Sequence, residues 1–154
     1  MLRIWCNWKG VLYYEFLPEN QMINSNNYCS QLDPLKAALD EKHLELVNRK
    51  RIIFHEGNAR PHVSLMTRKK LLQLGWEVLI HLPYSPDIAP SDFHLFRSLQ
   101  NSLNEKNFNS LEDCKRHLEQ FFAQKDKKFW EDRIITLPEK WQKVVEQNSE
   151  YIVQ

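Results

Sequence analysis

The stretch RIIFHEGNARPH, Arg51 to His62, decides how this chain is read. Ile52, Ile53 and Phe54 form a short apolar run of the kind that makes a buried strand. Gly57 and Pro61 then break the pattern, so the chain turns through Asn58-Ala59-Arg60-Pro61-His62. A short buried strand that ends in a polar turn belongs to an open α/β sheet, and in such sheets chemistry sits beyond the carboxyl ends of the strands.

Downstream of this turn, TRKKLLQLG predicts a short helix stopped by Gly75, and WEVLIHL a second buried strand. PYSPDIAP, with Pro83, Pro86 and Pro90, is a loop. Ser91 then caps a helix that begins SDFHLFRSLQNSL, and two further helices are expected around Glu112 to Phe122 and Glu139 to Gln147. Upstream, RIWCNWKGVLYYEFL reads as two antiparallel strands joined by a tight turn at Lys9-Gly10. A third short strand is expected near Gln21 to Ile23. Leu32, Leu35, Leu39, Leu44 and Val47 then mark one helix face, with Pro34 demanding a helix start or a kink nearby. No repeat, low-complexity tract or linker divides the chain. One α/β domain over 1–154, a mixed sheet flanked by helices, is the economical expectation.

Composition narrows the function classes. Apolar residues at 42% and aromatics at 12% exclude a disordered chain. A net charge of +1 means that nucleic-acid binding would have to come from local basic clusters: Asn48 to Arg51, Arg68-Lys69-Lys70 and Lys125 to Lys128. On pattern alone each cluster is an ordinary solvated face. Cys6, Cys29 and Cys114 are widely spaced and odd in number, which points to reduced thiols in an intracellular protein. No run is long and apolar enough for a membrane helix, no signal pattern opens the chain, and no His or Cys spacing suggests zinc. Trp5, Trp76, Trp130 and Trp141 fall on core patterns, as does Trp8, which could also stack on a base.

Three points are placed for chemistry: Cys6-Asn7-Trp8, Glu56-Gly57 and Asp92. Phosphodiester cleavage by two divalent cations needs carboxylates converging from such points. By itself Ser91-Asp92 is an ordinary helix start, a cap followed by a carboxylate favoured by the helix dipole.

NWKGVLYYEFLP, NARPH, LGWEVLIHLPYSPDIAPSDFHLF and LPEKWQKVVEQN, in this order over roughly residues 4 to 151, resemble the catalytic domain of the Tc1/mariner-type transposases, the family that also supplies the transposase half of SETMAR. The resemblance implies an RNase H-like fold, Mg2+ or Mn2+, DNA as substrate and an aspartate triad. It maps those aspartates onto Asn7, Gly57 and Asp92, of which only Asp92 is retained as a metal ligand. Gly57 and Asp92 enclose 34 residues, the interval the family keeps, so the register is intact and two carboxylates are missing. Asp87 is part of the same pattern and reads as a turn residue. Glu56 could replace the lost second carboxylate only through a bulge, because neighbouring side chains on a strand point to opposite faces.

The expected function is therefore that of a degenerate, cleavage-incompetent transposase domain. One alternative is a retained module that binds nucleic acid or pairs with itself or an intact transposase; the other is a residual nuclease using Asp92 with Glu56. Candidate nucleic-acid contacts are Lys9, Asn58, Arg60, His62, Arg68, Lys69 and Lys70. DNA binding should be weak and non-specific, because the family's N-terminal helix-turn-helix modules are not expected here. The expected location is nuclear, and no methyltransferase activity is expected.

Overall fold

Leu2–Asn7 (β1) and Gly10–Phe16 (β2) pair as a hairpin whose open end is closed by the Leu17 N–H donating to the Met1 carbonyl at 2.8 Å. Trp5 stacks on Tyr13, ring centroids 5.6 Å apart, a cross-strand pair of the sort that fixes register. The computed structural model describes residues 1–44, 52–57, 59–79 and 91–146, with backbone alone at 91–93, 144 and 145. The chain forms two compact units, Met1–Cys6 with Val11–Pro83, and Asn7–Gly10 with Tyr84–Gln154.

In the first unit, Ser25–Lys42 (α1) starts at Asn24, whose side chain accepts from the Asn27 N–H. Tyr28, Leu32, Leu35 and Leu39, spaced four, three and four, form its buried face. Pro34 lies inside this helix, near which a helix start or a kink was expected. An interior proline costs about 3 kcal/mol, and burying Leu32, Leu35 and Leu39 offsets it at roughly 1.5–3 kcal/mol per side chain. The strand expected at Gln21 to Ile23 is absent. The Met22 carbonyl instead accepts from the Asn27 side chain at 3.4 Å, and the segment serves as the lead into the Asn24 cap.

Ile52–His55 (β3) runs parallel to Trp76–Leu79 (β4), with Ile52 opposite Trp76 and His55 opposite Leu79. Between them come the single helical turn Arg60–Val63 (α2) and Leu65–Leu74 (α3). Ser64 caps α3, and Gly75 ends it at φ 75°, a left-handed conformation that glycine adopts without strain. The core joins Leu12, Tyr28, Leu32, Leu35, Leu39, Leu71 and Trp76, with Ile52 and Phe54 packed against it. Among the described residues there are two two-stranded sheets rather than one mixed sheet. Among the described residues β3 reaches the core through its side chains and not through a ladder to the hairpin.

In the second unit, a π-helical stretch Ser91–Phe96 runs into Arg97–Leu103 (α4), followed by Leu111–Gln124 (α5), Lys127–Ile135 (α6) and Leu137–Glu146 (α7). Sequence reading expected two helices after α4 and missed α6. Asp126 caps α6 by accepting from the Phe129 N–H at 2.9 Å, and Lys125 lies 4.7 Å from the Phe121 ring centroid. The Lys125 to Lys128 cluster is thus a helix start packed on aromatic rings. Leu95, Leu99, Leu118, Phe121 and Trp130 are buried here.

Candidate functional site

The end of β3 holds a cluster built around Tyr28. Its hydroxyl hydrogen-bonds the Glu56 carboxylate, its ring lies 4.4 Å from the His62 imidazole, and the Arg3 guanidinium sits 5.0 Å over the same ring. Arg3 also donates to the Gln31 side chain. His62 Nδ1 lies 3.2 Å from the Gly57 carbonyl oxygen. Thr67, fully buried on α3, donates to the Pro61 carbonyl and accepts from Ser64 at 3.0 Å, so the first turn of α3 holds the Arg60-Pro61-His62 turn in place.

Burial raises the Glu56 carboxyl to about 7, while the Tyr28 hydrogen bond pulls the other way and loses. Burial and the neighbouring Glu56 raise Tyr28, and burial lowers His62. Glu56 in the folded protein therefore holds its proton more tightly than at its ordinary 4.5. Its contribution to stability is complete below about pH 4.5 and is lost as pH rises through about 7. Glu56→Gln keeps a partner for Tyr28 but cannot ionise. Between pH 5 and pH 8 the unaltered protein should lose stability relative to Glu56→Gln by about 1 kcal/mol, once solvent screening of a half-buried group is allowed for. Thermal melts at the two pH values test this; parallel changes in both proteins would refute it.

Gly57 is exposed, and a Cβ built there would meet His62 Nδ1 at 3.8 Å, an ordinary contact. The position has room for a side chain and presents none. Asn7, in the second unit, is a turn residue: its side-chain oxygen accepts from the Lys9 N–H at 2.8 Å and the Gly10 N–H at 3.2 Å. Its buried amide nitrogen has no partner among the described residues. The backbone of Asp92 lies in the π-helical stretch, a form frequent at functional sites.

At the end of β3, position 57 has no side chain and the Glu56 carboxylate is hydrogen-bonded to Tyr28, an arrangement that offers a hard cation no free anionic oxygen there. Among the described residues no group of three His, Cys, Asp or Glu that could hold a metal occurs.

Of the candidate nucleic-acid contacts, Arg60, Arg68 and Lys69 are exposed, while Lys70 is paired with Asp33 at 2.6 Å. His62 is part of the Tyr28 cluster. Lys9 lies in the hairpin turn, and Asn58 and Asp87 fall outside the described residues. Sequence reading missed the roles of Tyr28 and Arg3, which meet Glu56 and Gln31 across 28 residues each and leave no local signal.

The chain is similar throughout to known proteins. A family model described as transposase (partial DDE domain) matches residues 1–49. Mariner Mos1 transposase of Drosophila mauritiana is 42% identical over 153 residues, covering 99% of this chain and 44% of Mos1. The histone-lysine N-methyltransferase SETMAR of Homo sapiens is 38% identical over 151 residues, covering 98% of this chain and 22% of that protein. The Mos1 transposase catalytic domain solved with Mg and raltegravir superposes at TM-score 0.92 with 42% identity, over 97% of this chain and 75% of that one. A Mos1 paired-end complex with Mn superposes at 0.91. A mixed α/β domain with this likeness belongs to the mariner transposase family, in its catalytic domain. It spans less than half the length of the curated relatives it matches.

Proposed function

We propose that this chain is a mariner transposase catalytic domain, RNase H-like in descent, that no longer cleaves DNA. The observation that carries the reading is the end of β3, where Gly57 supplies no ligand and Glu56 spends its carboxylate on Tyr28. Mos1 structures contain Mg and Mn; an ancestral site of that kind needs anionic oxygens at these positions. Asn7 serves the hairpin turn, its side-chain oxygen accepting from Lys9 and Gly10. Asp92 is the carboxylate left at a mapped ligand position.

What remains is a scaffold with exposed Arg60, Arg68 and Lys69, suited to weak contact with DNA phosphates that falls off with salt. Pairing with a second copy or with an intact transposase is the further role open to such a scaffold.

Supercoiled plasmid incubated with the purified chain and millimolar Mg2+ or Mn2+ should stay unnicked. Nicking that vanishes in Asp92→Ala would overturn the proposal, and nicking that vanishes in Glu56→Ala would show that Glu56 has replaced the missing ligand.

A further inference from the structure

In the second unit, the segment between α4 and α5 brings Lys106 and Phe108 against His117 of α5. Ser102 Oγ, near the end of α4, lies 3.0 Å from His117 Nε2, and Lys106 Nζ lies 3.5 Å from His117 Nδ1. The Phe108 ring is 5.5 Å from the imidazole. These contacts have a direction. An ammonium can only donate, so the Lys106 contact assigns Nδ1 as acceptor and favours the neutral tautomer with its hydrogen on Nε2, which then donates to Ser102. Burial, and then Lys106, lower the His117 pKa, which favours the neutral form.

The Ser102 hydroxyl hydrogen is therefore left to be given to something else. A second chain runs the same way: Gln100 Nε2 donates to Asn104 Oδ1 at 3.2 Å, leaving the Asn104 amide hydrogens without an acceptor among the described residues. Both chains end on one open groove of about 360 Å³, lined also by Asn101 and Gln120 and by no carboxylate among the described residues. A serine beside a histidine invites a catalytic reading. Here the Lys106 contact favours the opposite polarity, with Nε2–H donating, and an Nε2–H does not take the serine proton.

We propose that the α4–α5 groove is an oxyanion site that takes a phosphate group, with Ser102 and Asn104 donating to its oxygens and Lys106 supplying charge. Phosphate oxygens accept hydrogen bonds and carry negative charge, which is what a groove of terminal donors and one ammonium complements. The site goes beyond the loss of cleavage and does not depend on it.

The test is a titration of the whole ¹⁵N-labelled chain with inorganic phosphate, against chloride at equal ionic strength, followed by a short random-sequence DNA duplex. Saturable shifts should appear at Ser102, Asn104, Lys106 and His117. Ser102→Ala and Lys106→Gln should each weaken phosphate binding about tenfold. Lys106 is on the exposed connection, so its substitution remains informative if Ser102→Ala disturbs α4. Movement of the same resonances by the duplex, reversed by phosphate, assigns the site to a nucleic-acid backbone; movement by phosphate alone assigns it to a free anion. Shifts that chloride reproduces, that spare these residues, or that survive both substitutions would overturn the proposal. Plasmid nicking, read separately, bears on the loss of cleavage and not on this groove.

Discussion

Tyr28→Ala should lower the melting temperature by about 10 °C or more. Tyr28 is 2% exposed and is the shared partner of Glu56, His62 and Arg3. Truncating a buried aromatic to alanine costs about 3–5 kcal/mol, and in a chain of this size each kcal/mol moves the midpoint by about 2–4 °C. The cost should sit at the high end, because the half-buried Glu56 carboxylate loses its hydroxyl donor. Tyr28→Phe separates the two causes: it keeps the ring contacts, loses the hydroxyl, and should cost only about 1–2 kcal/mol. Denaturant melts of the three proteins give the comparison. Equal losses in Tyr28→Phe and Tyr28→Ala would show that ring packing contributes little and that the cluster has been misjudged.

Arg133→Ala should be the second severe substitution. Arg133 is 2% exposed, its Nη2 donates to the Asn7 carbonyl at 2.8 Å, and its guanidinium lies 5.4 Å over the Trp130 ring. Alanine removes the buried stem, the cation–π contact and the donor together, for about 2–4 kcal/mol in all. Arg133→Met keeps the volume and also removes a buried charge whose desolvation is costly, so it should lose about half as much. Thermal melts of both variants test this. A methionine variant as damaged as the alanine variant would mean that the hydrogen bond, and not the packing, holds the turn.

Punctuation made much of the fold legible. Gly75 stops α3 where a glycine stop was read, Lys9-Gly10 marks the hairpin turn, and Ile52 to His55 is the short strand expected. The family was legible too, because four ordered motifs span nearly the whole chain. Failures occurred where tertiary contacts outweigh local preference. Pro34 called for a helix start or a kink nearby, and α1 in fact starts nine residues earlier, the buried face from Tyr28 to Leu39 carrying the helix through the proline. The charge-rich Lys125 to Lys128 concealed the start of α6, because the capping Asp126 lay inside an apparent basic run.

The candidate site was less readable than the fold. Asn7 was matched to a ligand position by motif, although an asparagine three residues before a glycine is also turn chemistry, and the structure shows that use. The attachment of Glu56 to Tyr28 could not be read at all, since nothing in a strand end tells which helix residue will face it.

The Arg133 hydrogen bond has a consequence for synthesis. Its partner, the Asn7 carbonyl, emerges from the ribosome 126 residues earlier. At roughly 5–20 residues per second, the finished turn waits about 6–25 seconds for its guanidinium. During that interval the β1–β2 pairing and the Lys9 and Gly10 N–H groups donating to Asn7 Oδ1 hold it. A nascent chain stalled before α6 therefore carries a hairpin whose Asn7 carbonyl still lacks its Arg133 donor, and water must answer it until α6 has been made.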